Sequence, residues 1–520
     1  MIQIICKSES YTYNAYHILK AFYPSQEVSC KTDEKASNYV MVHLPDDREI
    51  SVGFENTVEI TDTAGRDEST GKIQEDSEKE SQKKERKRQI DLSLYDQLER
   101  ITGEPLAWGV LTGVRPTKLA MQKLEAGWKK EDYINWAWKS ARVRGEKAAL
   151  AWEIAEREQK ILKELDYENG YSLYVGIPFC PSVCSYCSFS SGPLDRWKEK
   201  VDAYVDALCK ELEFIAERSK NKKLNTIYIG GGTPTTLTAE QLERLMSWID
   251  EKFSREYLLE YTVEAGRPDS ITEEKLKVIK NHDITRISIN PQSMQQKTLD
   301  VIGRKHTVEE IKEAYALARK TGFDNINMDI IAGLPGEDIS DMEDTLAQIA
   351  QMHPDSLTVH SLAIKRAARM EMEDLNRDAK ETHEILSGMI ERAAKAAKEM
   401  DLFPYYLYRQ KNIAGNFENV GYAKVDKAGI YNILIMEEKQ SIIAAGAGAN
   451  AGTPADGRKK RAAGRLVHGL SHVQSRGCGL LRIRYSVRYS QQRTFQPFEP
   501  PLGTGTEYLF RYRRVYQRYA

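Results

Sequence analysis

Cys180, Cys184 and Cys187 lie within eight residues in a C-x₃-C-x₂-C spacing, directly after the apolar run 172–177, and are three of only seven cysteines in the chain. Whatever fold the chain takes must therefore gather three thiols around one centre at the end of one strand. A zinc site would ordinarily add a fourth Cys or His close by. Cys209 stands inside a helical pattern, and no histidine follows it before His282. Three thiolates without a fourth suit an iron–sulfur cluster that leaves one iron open to a non-protein ligand. Zinc is the alternative.

The pattern that carries this loop is regular. From residue 171, short apolar or β-branched runs at 172–177, 226–229, 261–264, 286–290, 325–331 and 356–361 alternate with helical stretches at 196–217, 239–252, 272–281, 308–321 and 339–352. Strands and helices in strict alternation imply parallel strands joined by right-handed crossovers. The expected fold class is α/β, a barrel closed or partly closed, with its site at the C-terminal strand ends. Polar residues fall at those ends: Gly230-Gly231-Gly232-Thr233-Pro234-Thr235 after the second run, Glu264 at the end of the third, Arg286 and Gln292 flanking the fourth, then Arg304, and Asp329 in the fifth. A carboxylate inside a barrel mouth is costly unless paired or ligated, so these residues suggest a site more than a core. Glycine at the triplet lets a polar ligand approach the backbone.

The cysteine spacing with the later Gly-Gly-Gly-Thr-Pro-Thr resembles the radical S-adenosylmethionine (radical SAM) superfamily. That resemblance implies a partial (β/α)6 barrel, a [4Fe–4S] cluster on Cys180, Cys184 and Cys187, and S-adenosylmethionine bound at the open iron. It also implies a 5′-deoxyadenosyl radical as the reactive species, the cofactors supplying the chemistry. Tyr174 six residues before the first cysteine, Gln292 with Arg304 twelve later, and the stretch around Asp329 are similar to the oxygen-independent coproporphyrinogen III oxidases (dehydrogenases), over roughly 170–450. The additional N-terminal region and the segments 405–412 and 418–422 look most like the HemZ-type branch.

Carried over residue by residue, the resemblance places Tyr174, Gly231 and Glu264 on the cluster-bound nucleotide. It places Tyr186, Gly232, Thr233, Gln292, Arg304, Asp329 and Ala363 on a second nucleotide or the remaining ligand surface, so that one or two S-adenosylmethionine molecules are expected. Tyr174, Glu264 and Arg304 are the expected catalytic residues. Arg304, Arg267 and Lys365 are candidates to pair substrate carboxylates. The implied reaction is oxidative decarboxylation of two propionates to vinyls, giving protoporphyrinogen in haem biosynthesis, with an electron donor such as flavodoxin or ferredoxin. One position departs: Phe189 stands where the branch with the best-supported activity has a further cysteine, as it does in relatives that chaperone haem. A haem chaperone is thus one alternative function. An RNA-modifying radical enzyme is another, suggested by the N-terminal module and a basic C-terminal segment.

The remaining regions carry less chemistry. Residues 1–62 read as a small α+β domain, with strands at 2–6, 39–44 and 49–54 and a helix at 13–22. The charged, apolar-poor stretch 63–89 is expected as a solvated linker, with a charged helix running into 90–101 as the alternative, and 90–168 as a helical connector whose tryptophans pack against a barrel at 169–370. Within a helical, substrate-side region at 371–450, a strand is expected at 431–436. There Tyr405, Tyr406, Tyr408 and Arg409 either line a pocket for a flat carboxylated ligand or belong to the core. Residues 451–520 hold 14 Lys and Arg against 3 Asp and Glu, although the whole chain has a net charge of only −2. Loss of hydrophobic periodicity there points to a shifted reading frame and a disordered tail rather than a nucleic-acid-binding extension. With near-neutral charge, no signal-peptide layout and no apolar run near the ~20 residues of a membrane span, a cytoplasmic protein is expected, with no nucleic-acid partner.

Overall fold

The structure, a computed structural model, describes residues 1–24, 26–46, 48–53, 71–111, 113, 115–363, 368–370, 379–409 and 417–447. The expectations for the 451–520 segment, for Lys365 and for 410–416 lie outside these residues.

The N-terminal elements are β1 (Ile2–Cys6), α1 (Glu9–Phe22), β2 (Val28–Thr32), β3 (Val40–His43), β4 (Glu49–Val52) and α2 (Gly71–Thr102). Alternate residues of β1 are buried, as a half-covered strand requires. It pairs parallel with β2 and antiparallel with β3 in the sheet order β2-β1-β3-β4. The edge strand β2, absent from the sequence expectation, buries almost nothing and so leaves no apolar signature. Ile90, Leu94 and Leu98, one helical turn apart, place α2 on the same core as Ile2, Ile4, Leu19 and Val42. The charged stretch expected as a linker is consequently helical from Gly71. Lys, Glu, Gln and Arg propagate a helix at little cost once a packed end has nucleated it, and pairs such as Arg88 with Glu85 add support.

The helices α3 (Thr117–Glu125), α4 (Lys130–Ala141) and α5 (Gly145–Lys163) share their core with the larger sheet. Trp108 is fully buried and donates from its indole nitrogen to Glu418, 2.8 Å away, while Lys147 pairs with the same carboxylate.

The large sheet follows: β5 (Gly170–Ile177), the short pair β6 (Phe179–Cys180) and β7 (Gly192–Pro193), α6 (Val201–Ser219), β8 (Lys223–Gly231), α7 (Ala239–Lys252), β9 (Glu260–Gly266), α8 (Glu273–Asn281), β10 (Arg286–Ile289), α9 (Gln296–Val301), α10 (Val308–Lys320), β11 (Ile326–Ala332), α11 (Ile339–Met352) and β12 (Ser356–Ser361). Then come α12 (Ala379–Glu399), β13 (Phe403–Arg409), β14 (Glu418–Ala423), α13 (Ile430–Glu437) and β15 (Ser441–Ala445). Six strands run parallel in the order β12-β11-β10-β9-β8-β5. The hairpin β13–β14 extends the β12 edge antiparallel, and β15 extends the β5 edge in parallel. The α/β partial barrel is therefore present, and its sheet is wider than the six strands expected.

The element at 431–436 corrects the expectation: it is helix α13, not a strand. A short apolar run reads the same in either periodicity. Tyr431, Ile433, Leu434 and Glu437 are buried because α13 lies in the hollow of the sheet. It packs against both β13 and β8, which stand six places apart in the strand order. A flat sheet would separate them by almost 30 Å at about 4.8 Å per strand, far more than the roughly 10 Å breadth of a helix. The sheet must curl around α13. Glu260 and Arg286, the first residues of β9 and β10, lie at the same end as this helix, and Glu260 accepts a hydrogen bond from the Ile430 amide. The helix thus plugs the N-terminal end and leaves the C-terminal end for a site.

Leu434→Ala should destabilise the protein by about 2–5 kcal/mol, the cost of a core cavity. Ile435, 36% exposed, should lose no more than about 0.5 kcal/mol on the same change. Denaturant titration of both variants checks this. Burial as a strand would group Ile435 with Ile433 and reverse the order.

Candidate active site

Within β5, β8, β9, β11 and β12 the strand interiors are buried on both faces except at one residue each: Tyr174, Tyr228, Glu264, Asp329 and His360. A parallel sheet covered on both faces reads as continuous burial, so these interruptions mark a hollow in the concave face. Tyr174 and Tyr228 are paired in register and stacked, with ring centroids 6.0 Å apart, and Tyr431 of α13 stacks beneath Tyr228 at 4.5 Å. The Tyr228 hydroxyl donates to Glu264. Asp329 accepts a hydrogen bond from Asn327 at 2.6 Å and faces His360 Nε2 at 3.7 Å. The Tyr408 hydroxyl lies 3.3 Å from the other ring nitrogen of His360.

Two carboxylates in one hollow oppose each other's ionisation. Burial pushes the Glu264 carboxyl up to about 7, with the Asp329 charge adding to it, while the Tyr228 hydroxyl, Arg286 and His360 pull the other way. Asp329 goes the opposite way. Burial disfavours its charge, but His360 and Asn327 hold it below the ordinary carboxylate value. The pair therefore contains one group that gives up a proton near neutrality and one that stays ionised.

The cysteine loop closes the same end. It leaves β5 at Ile177, and the β6–β7 pairing ties its two ends together. Ile177 and Phe179 accept from the amides of Gly232 and Thr233, both at 2.7 Å, and the Thr233 hydroxyl lies 3.6 Å from the Cys180 sulfur. A Cβ on Gly232 would stand 2.5 Å from the Phe179 carbonyl oxygen and 3.0 Å from that sulfur. The cysteine loop itself thus requires glycine at 232. Gly231 has φ +109°, where a side chain is strained. A Cβ at Gly230 would meet the Tyr228 ring at 2.9 Å.

Tyr186 and Arg304 form a second group, on the cysteine loop. Arg304 is buried, donating to the Asn290 carbonyl and to Tyr186 Oη at 3.4 Å. Burial alone would lower its pKa, yet Tyr186 and Cys184 beside it hold it above the usual value. Gln292 connects the two groups: its amide donates to the Asp329 carbonyl at 2.9 Å, and its φ of 68° is left-handed, a strain worth about 1–3 kcal/mol that clusters at functional sites. Ala363 is partly buried just beyond β12. Arg267 corrects an expectation: its guanidinium is buried and already paired with Asp269, so it is not available to substrate carboxylates. Arg409 likewise donates to the Leu111 carbonyl at 2.7 Å, joining connector to sheet rather than lining a ligand pocket.

Tyr228, Tyr431 and His360 are site residues that the sequence expectation missed. Tyr228 and His360 did carry a signal, since Tyr228 shares parity with Gly230, and His360 with Thr358, on the inner face of each strand. Tyr431 had none, because its place depends on the fold of α13.

The residues fit the expected cofactors. Among the described residues, Gln292 Oε1 and Arg304 Nε are buried without partners, leaving capacity for a polar ligand beside the loop.

A three-cysteine loop over the C-terminal end of a curled parallel sheet defines a radical SAM protein, and the model of the Radical SAM superfamily matches residues 174–349. More particularly, the chain is 40% identical over 438 residues to the oxygen-independent coproporphyrinogen-III oxidase-like protein HemZ of Bacillus subtilis (strain 168), spanning 83% of this chain and 86% of that protein. The chain belongs to this HemZ family. It is also 35% identical over 195 residues to the heme chaperone HemW of the same organism, spanning 37% of this chain and 51% of that one. Among solved structures, coproporphyrinogen III oxidase (HemN) from Escherichia coli is 22% identical with a TM-score of 0.46, spanning 57% of this chain and 68% of that one. No helix among the described residues is long and apolar enough to cross a membrane.

Two measurements follow from this geometry. Gly232→Ala should abolish most iron uptake on anaerobic reconstitution, because the clash is with backbone that cannot turn aside; iron and sulfide analysis checks it. Glu264, raised from 4.5 to about 7, favours the fold when protonated. Its contribution is full below about pH 4.5 and is lost as the pH rises through 7. At pH 8 the loss is roughly 3 kcal/mol at most, less where water reaches the carboxyl. Cofactor-free Glu264→Gln should therefore be more stable than wild type at pH 8, and the difference should vanish near pH 5.

Proposed function

We propose that the chain is an oxygen-independent coproporphyrinogen III dehydrogenase, a radical SAM oxidoreductase that decarboxylates two propionates to vinyls and yields protoporphyrinogen IX in haem biosynthesis. The observation that carries this reading is the line of inward polar residues, Tyr174, Tyr228, Glu264, Asp329 and His360, in the hollow closed by the cysteine loop. Such a constellation serves chemistry on a bound molecule, and the HemZ relative spans nearly the whole chain.

In this reading Cys180, Cys184 and Cys187 hold a [4Fe–4S] cluster with S-adenosylmethionine. When bound, that pair supplies a carbon-centred radical able to remove a hydrogen atom from an unactivated carbon. Each propionate would then lose one hydrogen atom to that radical, CO₂, and one electron to a separate one-electron acceptor. Tyr174, Gly231 and Glu264 orient the first nucleotide. Ionised Glu264 pairs an ammonium group, and the Tyr228 hydroxyl fixes the carboxylate's direction. Tyr186, Gly232, Thr233, Gln292, Arg304, Asp329 and Ala363 form the rest of the ligand surface, where a second nucleotide or the porphyrinogen lies. Arg304, with its unpartnered Nε, is the cation that meets a carboxylate there. A flavodoxin or ferredoxin supplies the reducing electron.

A second reading is a haem chaperone on the same scaffold. Phe189, 73% exposed beside the cysteine loop, favours it, because an apolar ring there offers a face to a porphyrin and no thiolate. The RNA-modifying reading rests on the N-terminal module and on a basic segment outside the described residues.

The test is anaerobic. Reconstituted protein is given dithionite, S-adenosylmethionine and coproporphyrinogen III, and 5′-deoxyadenosine and decarboxylated porphyrin are measured together. Both should form, and both should disappear in Cys184→Ala. Deoxyadenosine without porphyrin product, together with tight haem binding, would overturn the dehydrogenase in favour of the chaperone.

A further inference from the structure

Arg267 follows the last residue of β9, and its guanidinium is only 3% exposed. Burying a cation is costly unless every donor is matched, and here the matching is specific. Nε and Nη2 donate to the two carboxylate oxygens of Asp269 at 2.9 and 2.6 Å. Nη1 donates to the Ser182 carbonyl at 3.0 Å, to the Ser182 hydroxyl at 2.8 Å, and to the Cys184 sulfur at 3.8 Å. One guanidinium thus spans a carboxylate on one side and the middle of the cysteine loop on the other. The loop is held from a second direction by the segment after α9: the Ser182 hydroxyl reaches the Gly303 carbonyl at 3.1 Å, and the Ser185 amide reaches that of Ile302 at 3.0 Å. Asp269 in turn lies 3.7 Å from His306 Nδ1.

We propose that Arg267 and Asp269 form a positioning pair that fixes Cys184 and sets the reduction potential of the cluster it ligates. The inference rests on the radical SAM reading and adds to it residues outside the ligand and nucleotide sets. A donor aimed at a cluster sulfur stabilises the more electron-rich, reduced state and raises the potential. Because Asp269 neutralises the guanidinium, the pair presents Cys184 with the positive end of a dipole and no net charge. A packing role alone is met as well by apolar residues, since a buried ion pair brings little stability of its own.

This makes the two halves of the pair opposite in effect. Removing the cation leaves the negative charge of Asp269 near the cluster with only His306 beside it. Removing the anion leaves an uncompensated cation on Cys184. The experiment is an EPR-monitored redox titration of the reconstituted full-length protein, without substrate, with iron content measured in parallel. Arg267→Gln should lower the reduced-to-oxidised ratio at fixed potential by about tenfold, which is 59 mV for a one-electron couple. Asp269→Asn should raise it. If Arg267→Gln fails to take up iron, Arg267→Lys, which keeps the cation but cannot bridge both partners, should load and give a smaller downward shift. Shifts of the same sign in Arg267→Gln and Asp269→Asn, or unchanged potentials at normal iron content, overturn the proposal and leave a loop brace only. Wild-type protein that takes up no cluster at all would instead overturn the radical SAM reading on which the proposal rests.

Discussion

The parallel pairing of β5 with β8 governs the site. Its register sets Gly176 beside Gly230 and Ile177 beside Gly231, so the chain leaving β5 must pass over the chain leaving β8. Cysteine loop and glycine triplet, some fifty residues apart in sequence, are forced together by backbone hydrogen bonds before any side chain is considered. The amides of Gly232 and Thr233 continue that pairing into the loop, and the loop's shape then depends on there being no Cβ at 232. Polar groups that would be expensive to bury free are satisfied by this one continuous ladder.

Curvature is the second requirement, and it comes from α13. A helix in the hollow gives the inner face of the sheet something apolar to cover at its N-terminal end, through Tyr431, Ile433 and Leu434. Among the described residues the C-terminal end receives no such plug. Tyr174, Tyr228, Glu264, Asp329 and His360 therefore stay partly open, where their polar groups carry less desolvation cost than full burial would impose. The connector helices reinforce the arrangement from outside, since Trp108 and Lys147 share the buried Glu418 and Arg409 grips the Leu111 carbonyl. Site and scaffold are parts of one packing problem.

Electrostatics within the hollow are divided rather than uniform. Burial raises Glu264 more than its hydroxyl partner lowers it, whereas His360 and Asn327 outweigh burial at Asp329 and lower it. Around the cysteine loop Arg304 is the net cation, while Arg267, also close to Cys184, is neutralised by Asp269. Proton-handling groups and the thiolate-facing Arg304 thus form separate groups, and the strained Gln292 is tied by its backbone to the first of them at Asp329.

Local chemistry in the sequence was enough for the cysteine loop, the glycine triplet and the six parallel strands. Each is written in short-range spacing: C-x₃-C-x₂-C, three successive glycines, and a βα period that admits one handedness. The edge strand β2 and helix α13 were not legible, and the charged helix at 71–89 only as the alternative to a linker. Their conformations are decided by what they pack against or extend from, and their own residues are compatible with more than one state. The same holds for single side chains. Arg267 and Arg409 are isolated cations in the sequence, and only the fold supplies Asp269, Cys184 and the Leu111 carbonyl as their partners. Tyr228 and His360 become site residues only when the curled sheet turns one inner position per strand toward a common hollow. Residue type and spacing thus determined which chemistry the chain can hold. Tertiary structure alone decided which groups face it, because burial and long-range pairing set both the cost and the direction of every polar side chain.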